Sequence, residues 1–143
     1  MDESLTLVVD TNVWLDWLIF DDARVRPLAV ALRARRVSAI ATPPMLDELA
    51  AVLARPGFAL AADQREAMLA RVRAAVRLSA PAPDCRLPCT DPDDRKFIDL
   101  AVAQRADWLL SRDKALLRLR RPAAARFGLR IGPPEAWAAE ACL

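Results

Sequence analysis

The chain has 143 residues, 55% of them hydrophobic, with 21 Lys and Arg against 19 Asp and Glu for a formal charge of +2; this is one domain's length (1–143), apolar enough for a core and too apolar for disorder. It contains no His and no Tyr, which excludes Ser-His-Asp and Cys-His catalysis, His-ligated zinc and histidine acid–base ribonucleases. No apolar run reaches the roughly 18 residues of a membrane span, and the acidic Met1-Asp2-Glu3 start does not resemble a signal peptide, so a soluble, cytoplasmic protein is expected.

Leu5-Thr6-Leu7-Val8-Val9 is an aliphatic run too short for a helix, and with Asp10-Thr11-Asn12 directly after it predicts a buried strand of a parallel sheet. Val13 to Phe20 is helical in character, with Thr11 or Asn12 as candidate N-cap. Trp14, Trp17, Leu18 and Phe20 give this helix more apolar surface than a small core needs, which predicts association with a second copy or another protein. Pro27 opens a helix through about Arg36, Val37–Ala41 is a second strand, and Pro43-Pro44 begins a helix from Met45 to Ala54, ended by Pro56-Gly57. Asp63-Gln64-Arg65-Glu66 is a capping-box pattern opening a long amphipathic helix whose apolar face carries Met68, Leu69, Val72, Ala75 and Val76.

A Pro-containing loop from Ala80 to Thr90 holds Cys85 and Cys89. With three cysteines in all no disulfide framework is expected, and without a second ligand pair no zinc site. Asp91-Pro92-Asp93-Asp94 starts the helix carrying Phe97, Ile98, Ala101 and Val102. Trp108-Leu109-Leu110 is a third buried strand, and Ser111-Arg112-Asp113 leads into a short helix ending at Arg121-Pro122. Leu129-Arg130-Ile131 is a candidate edge strand, and Pro133-Pro134-Glu135 begins a terminal helix. Strands alternating with helices predict an α/β fold, a parallel sheet with helices on both faces.

Four acids share a pattern within this frame. Asp10 sits at the carboxyl end of the first strand, where open α/β sheets place their ligands, and Asp113 follows the third strand in the same way. Asp94 heads the buried stripe of Phe97, Ile98 and Ala101, and Glu48 lies on the helix after the second strand, with Met45 at i−3 and Val52 at i+4. Four carboxylates gathered on one sheet edge raise each other's pKa values, and a hard divalent cation such as Mg²⁺ or Mn²⁺ relieves the repulsion. Each acid has an ordinary use as well. Asp91 before Pro92 is a good N-cap, with Asp93 and Asp94 as first-turn acids favoured by the helix dipole, and Asp113 can cap the helix at Lys114. Glu48 and Asp47 both flank a wheel drawn through Leu46, Leu49, Ala50 and Leu53, so periodicity does not separate them. Only the joint pattern points to metal. The charge is also unevenly placed: Arg112 to Arg130 holds seven basic residues against one acid, with a second cluster at Arg33-Ala34-Arg35-Arg36. Most are Arg, which suits bidentate phosphate contacts.

Val8-Val9-Asp10-Thr11-Asn12-Val13, the helix from Glu48 to Arg55-Pro56, Asp91-Pro-Asp-Asp94-Arg-Lys-Phe-Ile-Asp-Leu-Ala, Leu109-Leu-Ser-Arg-Asp113-Lys-Ala-Leu-Leu and the closing Gly128-Leu-Arg-Ile-Gly-Pro-Pro-Glu-Ala-Trp137 occur in this order. The set resembles the PIN-domain family, and within it the toxin-like branch, over nearly the whole chain. The resemblance implies a PIN-like fold, Mg²⁺- or Mn²⁺-dependent ribonuclease activity, and Asp10, Glu48, Asp94 and Asp113 as the catalytic, metal-holding acids, with Glu48 taken over Asp47 and Asp94 over Asp93. Thr11, Asn12 and Ser111 would support them, Arg112 and Lys114 would hold the RNA backbone, and Asp91, Asp93 and Asp99 stay open as further ligands. It further implies hydrolysis by water activated at the cation, leaving a 5′-phosphate and a 3′-hydroxyl, and an antitoxin partner, while the apolar surface of the first helix is the reason to expect a homodimer. An RNA-processing nuclease without antitoxin and a PIN-like module that binds without cleaving are the alternatives. A receiver-type signalling domain lacks its acidic pair and acceptor Asp here.

Overall fold

A computed structural model describes residues 5–141; the acidic Met1-Asp2-Glu3 start and Cys142 lie outside the described residues. Leu5–Val9 forms β1, in which Leu7, Val8 and Val9 are all buried. Successive strand residues point to opposite faces, so burial of adjacent side chains requires cover on both sides of the sheet. Val37–Ala41 (β2), Val76–Leu78 (β3), Trp108–Leu110 (β4) and Arg130–Gly132 (β5) join β1 in one all-parallel sheet of order β3-β2-β1-β4-β5. The helices are α1 (Thr11–Leu18), α2 (Arg26–Arg33), α3 (Pro43–Leu53), α4 (Ala62–Ala75), α5 (Arg95–Ala103), α6 (Lys114–Leu117), α7 (Arg120–Phe127) and α8 (Pro134–Glu140). α5 packs on β1 and β4, α2 on β2, α7 on β5 and α8 on β4. The architecture is the α/β parallel sheet that the alternation predicts.

Strand order turns at β1. The chain runs outward through β2 and β3, then returns to lay β4 on the other side of β1 and β5 beyond it. A reversal of this kind opens a crevice at the carboxyl ends of the two strands where it occurs. The register sets Val9 opposite Leu110, and the Asp10 N–H donates to the Leu110 carbonyl at 3.0 Å. Asp10 and Ser111 therefore leave the sheet level with each other.

Several elements differ from the sequence expectation. Val76 leaves the face of α4 to begin β3, pairing with Ala39. With Arg77 and Leu78 exposed, this three-residue strand carries no periodic signal of its own, and its pairing to β2 decides its conformation. α4 starts at Ala62, one residue before Asp63. Gln64 Oε1 accepts the Ala61 N–H at 2.8 Å, the half of a capping box that a Gln supplies, while Ala61 has no side-chain oxygen for the other half. Pro122 does not end a helix. It sits in the first turn of α7, where its missing N–H breaks no helical bond, and Gly128 at φ 68° closes that helix. α2 stops at Arg33, short of Arg36.

The apolar surplus read on the first helix is also smaller than its sequence suggests. Trp14 and Leu18 are core residues. Trp17 is half-buried beneath the Arg71 guanidinium, 4.5 Å from the ring centroid, and Phe20, 60% exposed, remains on the surface. Trp108 and Trp137 are buried as well. Among the described residues no helix is long and apolar enough to cross a membrane.

Leu7 lies on the central strand with no solvent exposure. Leu7→Ala is expected to lower stability by about 2–5 kcal/mol through lost burial and the cavity left behind. Urea unfolding should show a lower midpoint at an unchanged slope.

Candidate metal centre

The crevice beyond β1 and β4 is built first from the two strand ends. Asp10 is 4% exposed. Its carbonyl accepts the N–H groups of Val13 and Trp14, starting α1, which leaves the carboxylate free to point elsewhere, since it makes no cap bond. Oδ2 instead accepts the Ser111 hydroxyl at 2.7 Å. The fully buried Ser111 Oγ also accepts the Asp113 N–H at 2.9 Å, so one hydroxyl fixes both strand-end acids. Asp113 caps α6 through Oδ1, which accepts the Ala115 N–H at 2.8 Å. The capping use and a place at the crevice thus coincide in one residue.

The remaining acids arrive from the helices. Asp91 Oδ1 caps the 3₁₀ turn Pro92–Asp94 by accepting the Asp93 N–H at 2.9 Å. That turn buries Asp94 (7% exposed) and leaves Asp93 exposed. Carboxylate oxygens of Asp91, Asp94 and Asp113 all lie within 4.8 Å of one another. Glu48, on α3, stands beside this group with both oxygens engaged: Oε2 accepts the Thr11 hydroxyl at 2.6 Å and Oε1 accepts Lys96 Nζ at 2.8 Å. Asp10 and Glu48 are outside the tight group, and Asp91 is inside it.

The electrostatics show strain of the kind a cation removes. Burial pushes the Asp94 pKa up, and a shared hydrogen bond with Asp113 and the charges of Asp113, Asp10 and Asp91 push it further, to about 7. Burial also raises Asp10; the Ser111 bond pulls it back, while Asp113 and Glu48 push it up again. Asp94 Oδ2 is buried without a hydrogen-bond partner, which is costly for a carboxylate oxygen. Clustered carboxylates with one oxygen lacking a donor are a donor set for Mg²⁺ or Mn²⁺, which bind hard oxygens. The residues fit such an ion.

Of the supporting residues, Thr11 is buried against Glu48, and Asn12 is exposed. Arg112 turns away from the acids just described: Nη1 donates to both Glu135 oxygens at 2.7 Å and Nε to Asp16 Oδ2 at 3.2 Å. Burial would raise the Glu135 pKa, but the Arg112 bonds hold it below the ordinary range. Lys114 is exposed and makes no ion pair among the described residues. Asp99 belongs to a different group, accepting the Cys85 N–H at 3.0 Å and pairing with Arg95. Nothing in the sequence marks Lys96 as a partner of Glu48. A lysine two residues after an acidic turn is commonplace, and only the tertiary fold, which brings it within 2.8 Å of Glu48, makes it a partner.

The PIN-domain family model matches residues 6–115 of the chain, a span that takes in Asp10, Glu48, Asp91, Asp94 and Asp113. No curated protein matches it.

Two outcomes follow from the raised carboxyls. The Asp94 contribution to stability is present below about pH 4 and is lost as pH rises through about 7, because folding favours its protonated form, and the raised Asp10 acts in the same direction. The metal-free protein should therefore melt lower at pH 8 than at pH 6, and saturating Mn²⁺ should narrow that gap, since metal takes up the deprotonated form. Ser111→Ala should cost about 1–3 kcal/mol by stripping a buried carboxylate of its donor, and calorimetric Mn²⁺ affinity should fall with it.

Proposed function

Because the chain belongs to the PIN-domain family, we propose that it is a Mg²⁺- or Mn²⁺-dependent ribonuclease that hydrolyses RNA phosphodiester bonds. The observation that carries this reading is the convergence of Asp91, Asp94 and Asp113 oxygens within 4.8 Å of one another, in a group whose Asp94 Oδ2 is buried without a partner. In this reading Asp10, Glu48, Asp94 and Asp113 hold the ion and Asp91 completes the acidic wall. A bound divalent cation supplies an acidified water and stabilises charge on the phosphodiester. The chain's own part is positioning. Ser111 orients Asp10 and the Asp113 backbone, Thr11 orients Glu48, and Lys96 balances the Glu48 charge. Lys114 contacts the RNA backbone, and Arg112 holds the segment after β4 through Asp16 and Glu135. By family likeness the products carry a 5′-phosphate and a 3′-hydroxyl. A module that binds RNA without cleaving would leave the carboxylate cluster without a use.

We further propose that the protein is the toxin of a cytoplasmic toxin–antitoxin pair and forms a homodimer. Support for a protein partner comes from a groove between α1, α2 and α4 where Trp17 and the 52% exposed Val30 lie beside Arg33 and Arg71. An acidic, partly apolar antitoxin segment matches that lining.

Asp10→Asn keeps the shape and removes one charge from the acids around the ion. Cleavage of single-stranded RNA with Mn²⁺ should fall at least about a hundredfold, the equivalent of roughly 3 kcal/mol of barrier. Asp47→Asn, at the exposed neighbour of Glu48, should cut as fast as the parent. Cleavage that persists undiminished in chelator would sink the metallonuclease reading.

A further inference from the structure

Directly beyond Asp113 the surface changes sign. Lys114, Leu117, Arg118, Arg120 and Arg121 line an open groove of about 290 Å³ between α6 and α7. All four cations are exposed, and none makes an ion pair among the described residues. Arg24, Arg26, Arg95, Lys96, Arg112 and Arg130 are each paired with a carboxylate. No acid lines the groove.

The local structure disfavours this arrangement. Lys114 and Arg118 are like charges at i,i+4 across the α6 turn, a repulsive spacing. Arg120 and Arg121 occupy the first turn of α7, the positive end of its dipole, where acids are preferred. Four cations set against each other and against a helix dipole, with no counter-charge of their own, call for a polyanion from outside. A protein partner would bring an apolar or aromatic centre to its interface, and the groove offers it only the partly buried Leu117. A chain of phosphates needs cations at intervals and little else, and the Arg fork binds phosphate bidentately.

We propose that the α6–α7 groove binds the sugar–phosphate backbone of single-stranded RNA and leads it to the acidic crevice at Asp113. The assignment rests on the ribonuclease reading for its ligand and extends it along a track that begins beside Asp113 and runs on past the metal-holding acids. The other basic cluster, Arg35 and Arg36 before β2, lies with Arg105 at the opposite, amino edge of the sheet and has no part in the track.

The test is equilibrium binding of a fluorescein-labelled oligouridylate by anisotropy, in EDTA so that nothing is cut, across a salt series. Neutralising three phosphate contacts lowers the slope of log affinity against log salt by about 2, at roughly 0.7 per contact for a single strand. The triple variant Arg118→Gln, Arg120→Gln, Arg121→Gln should show this loss and an unchanged melting temperature. The triple Arg35→Gln, Arg36→Gln, Arg105→Gln carries the same net charge and should keep the parent slope. Arg→Lys at the three groove positions should restore it. Equal slopes for the two Gln triples would overturn the proposal, as would a groove triple that keeps RNA affinity but loses poly-glutamate binding. Cleavage is scored separately with Mn²⁺. A parent that does not cut, with the groove triple still losing slope, removes the nuclease reading and leaves the groove standing. A parent that cuts, with no slope difference, removes the groove alone.

Discussion

The buried Ser111 hydroxyl donates to Asp10 and accepts from the Asp113 backbone, joining residues 101 positions apart in the chain. It can do so only because β1 and β4 pair in parallel with Val9 opposite Leu110. A slip of one residue in that register would turn Asp10 to the other face of the sheet. The same bond acts on charge as well: it pulls the Asp10 pKa down against the burial that raises it, while burial and the neighbouring acids push Asp94 to about 7. The crevice is thus a consequence of strand pairing before it is a consequence of acidic residues.

The sequence made the central strands legible because β1, β2 and β4 are short aliphatic runs followed at once by polar residues, a pattern with few alternatives. β3 was not legible, since two of its three residues face solvent and only β2 makes them a strand. Pro122 shows the limit of punctuation rules: the same residue can end one helix or open the next, and the difference lies in whether the preceding turn has already closed. At the crevice, Asp10 and Asp113 could be found as strand-end acids by position alone. Asp91 could not be told from an ordinary cap, because it is one. The Thr11–Glu48 and Lys96–Glu48 bonds join helices that no local pattern relates.

Two uses of arginine divide the basic residues. Arg112 is sunk among Asp16 and Glu135, with its charge spent on fastening α1 and α8 to the segment after β4. The next cations along the chain, Lys114, Arg118, Arg120 and Arg121, stand open to solvent around a groove that no acid lines. The formal charge of +2 conceals this division entirely, since paired and unpaired cations count alike in a sum but act very differently on an approaching anion.

The outermost strands, β3 and β5, are each only three residues long, and each carries an arginine, Arg77 and Arg130. A parallel sheet ends in rows of unpaired backbone groups that invite a neighbouring copy to add a strand. Here the invitation is brief: an incoming chain would find two or three bonds before the edge runs out, and two matching arginines would meet across the seam. Growth by strand addition is thereby discouraged at both ends, and contact between copies is steered towards the helices and loops that flank the sheet.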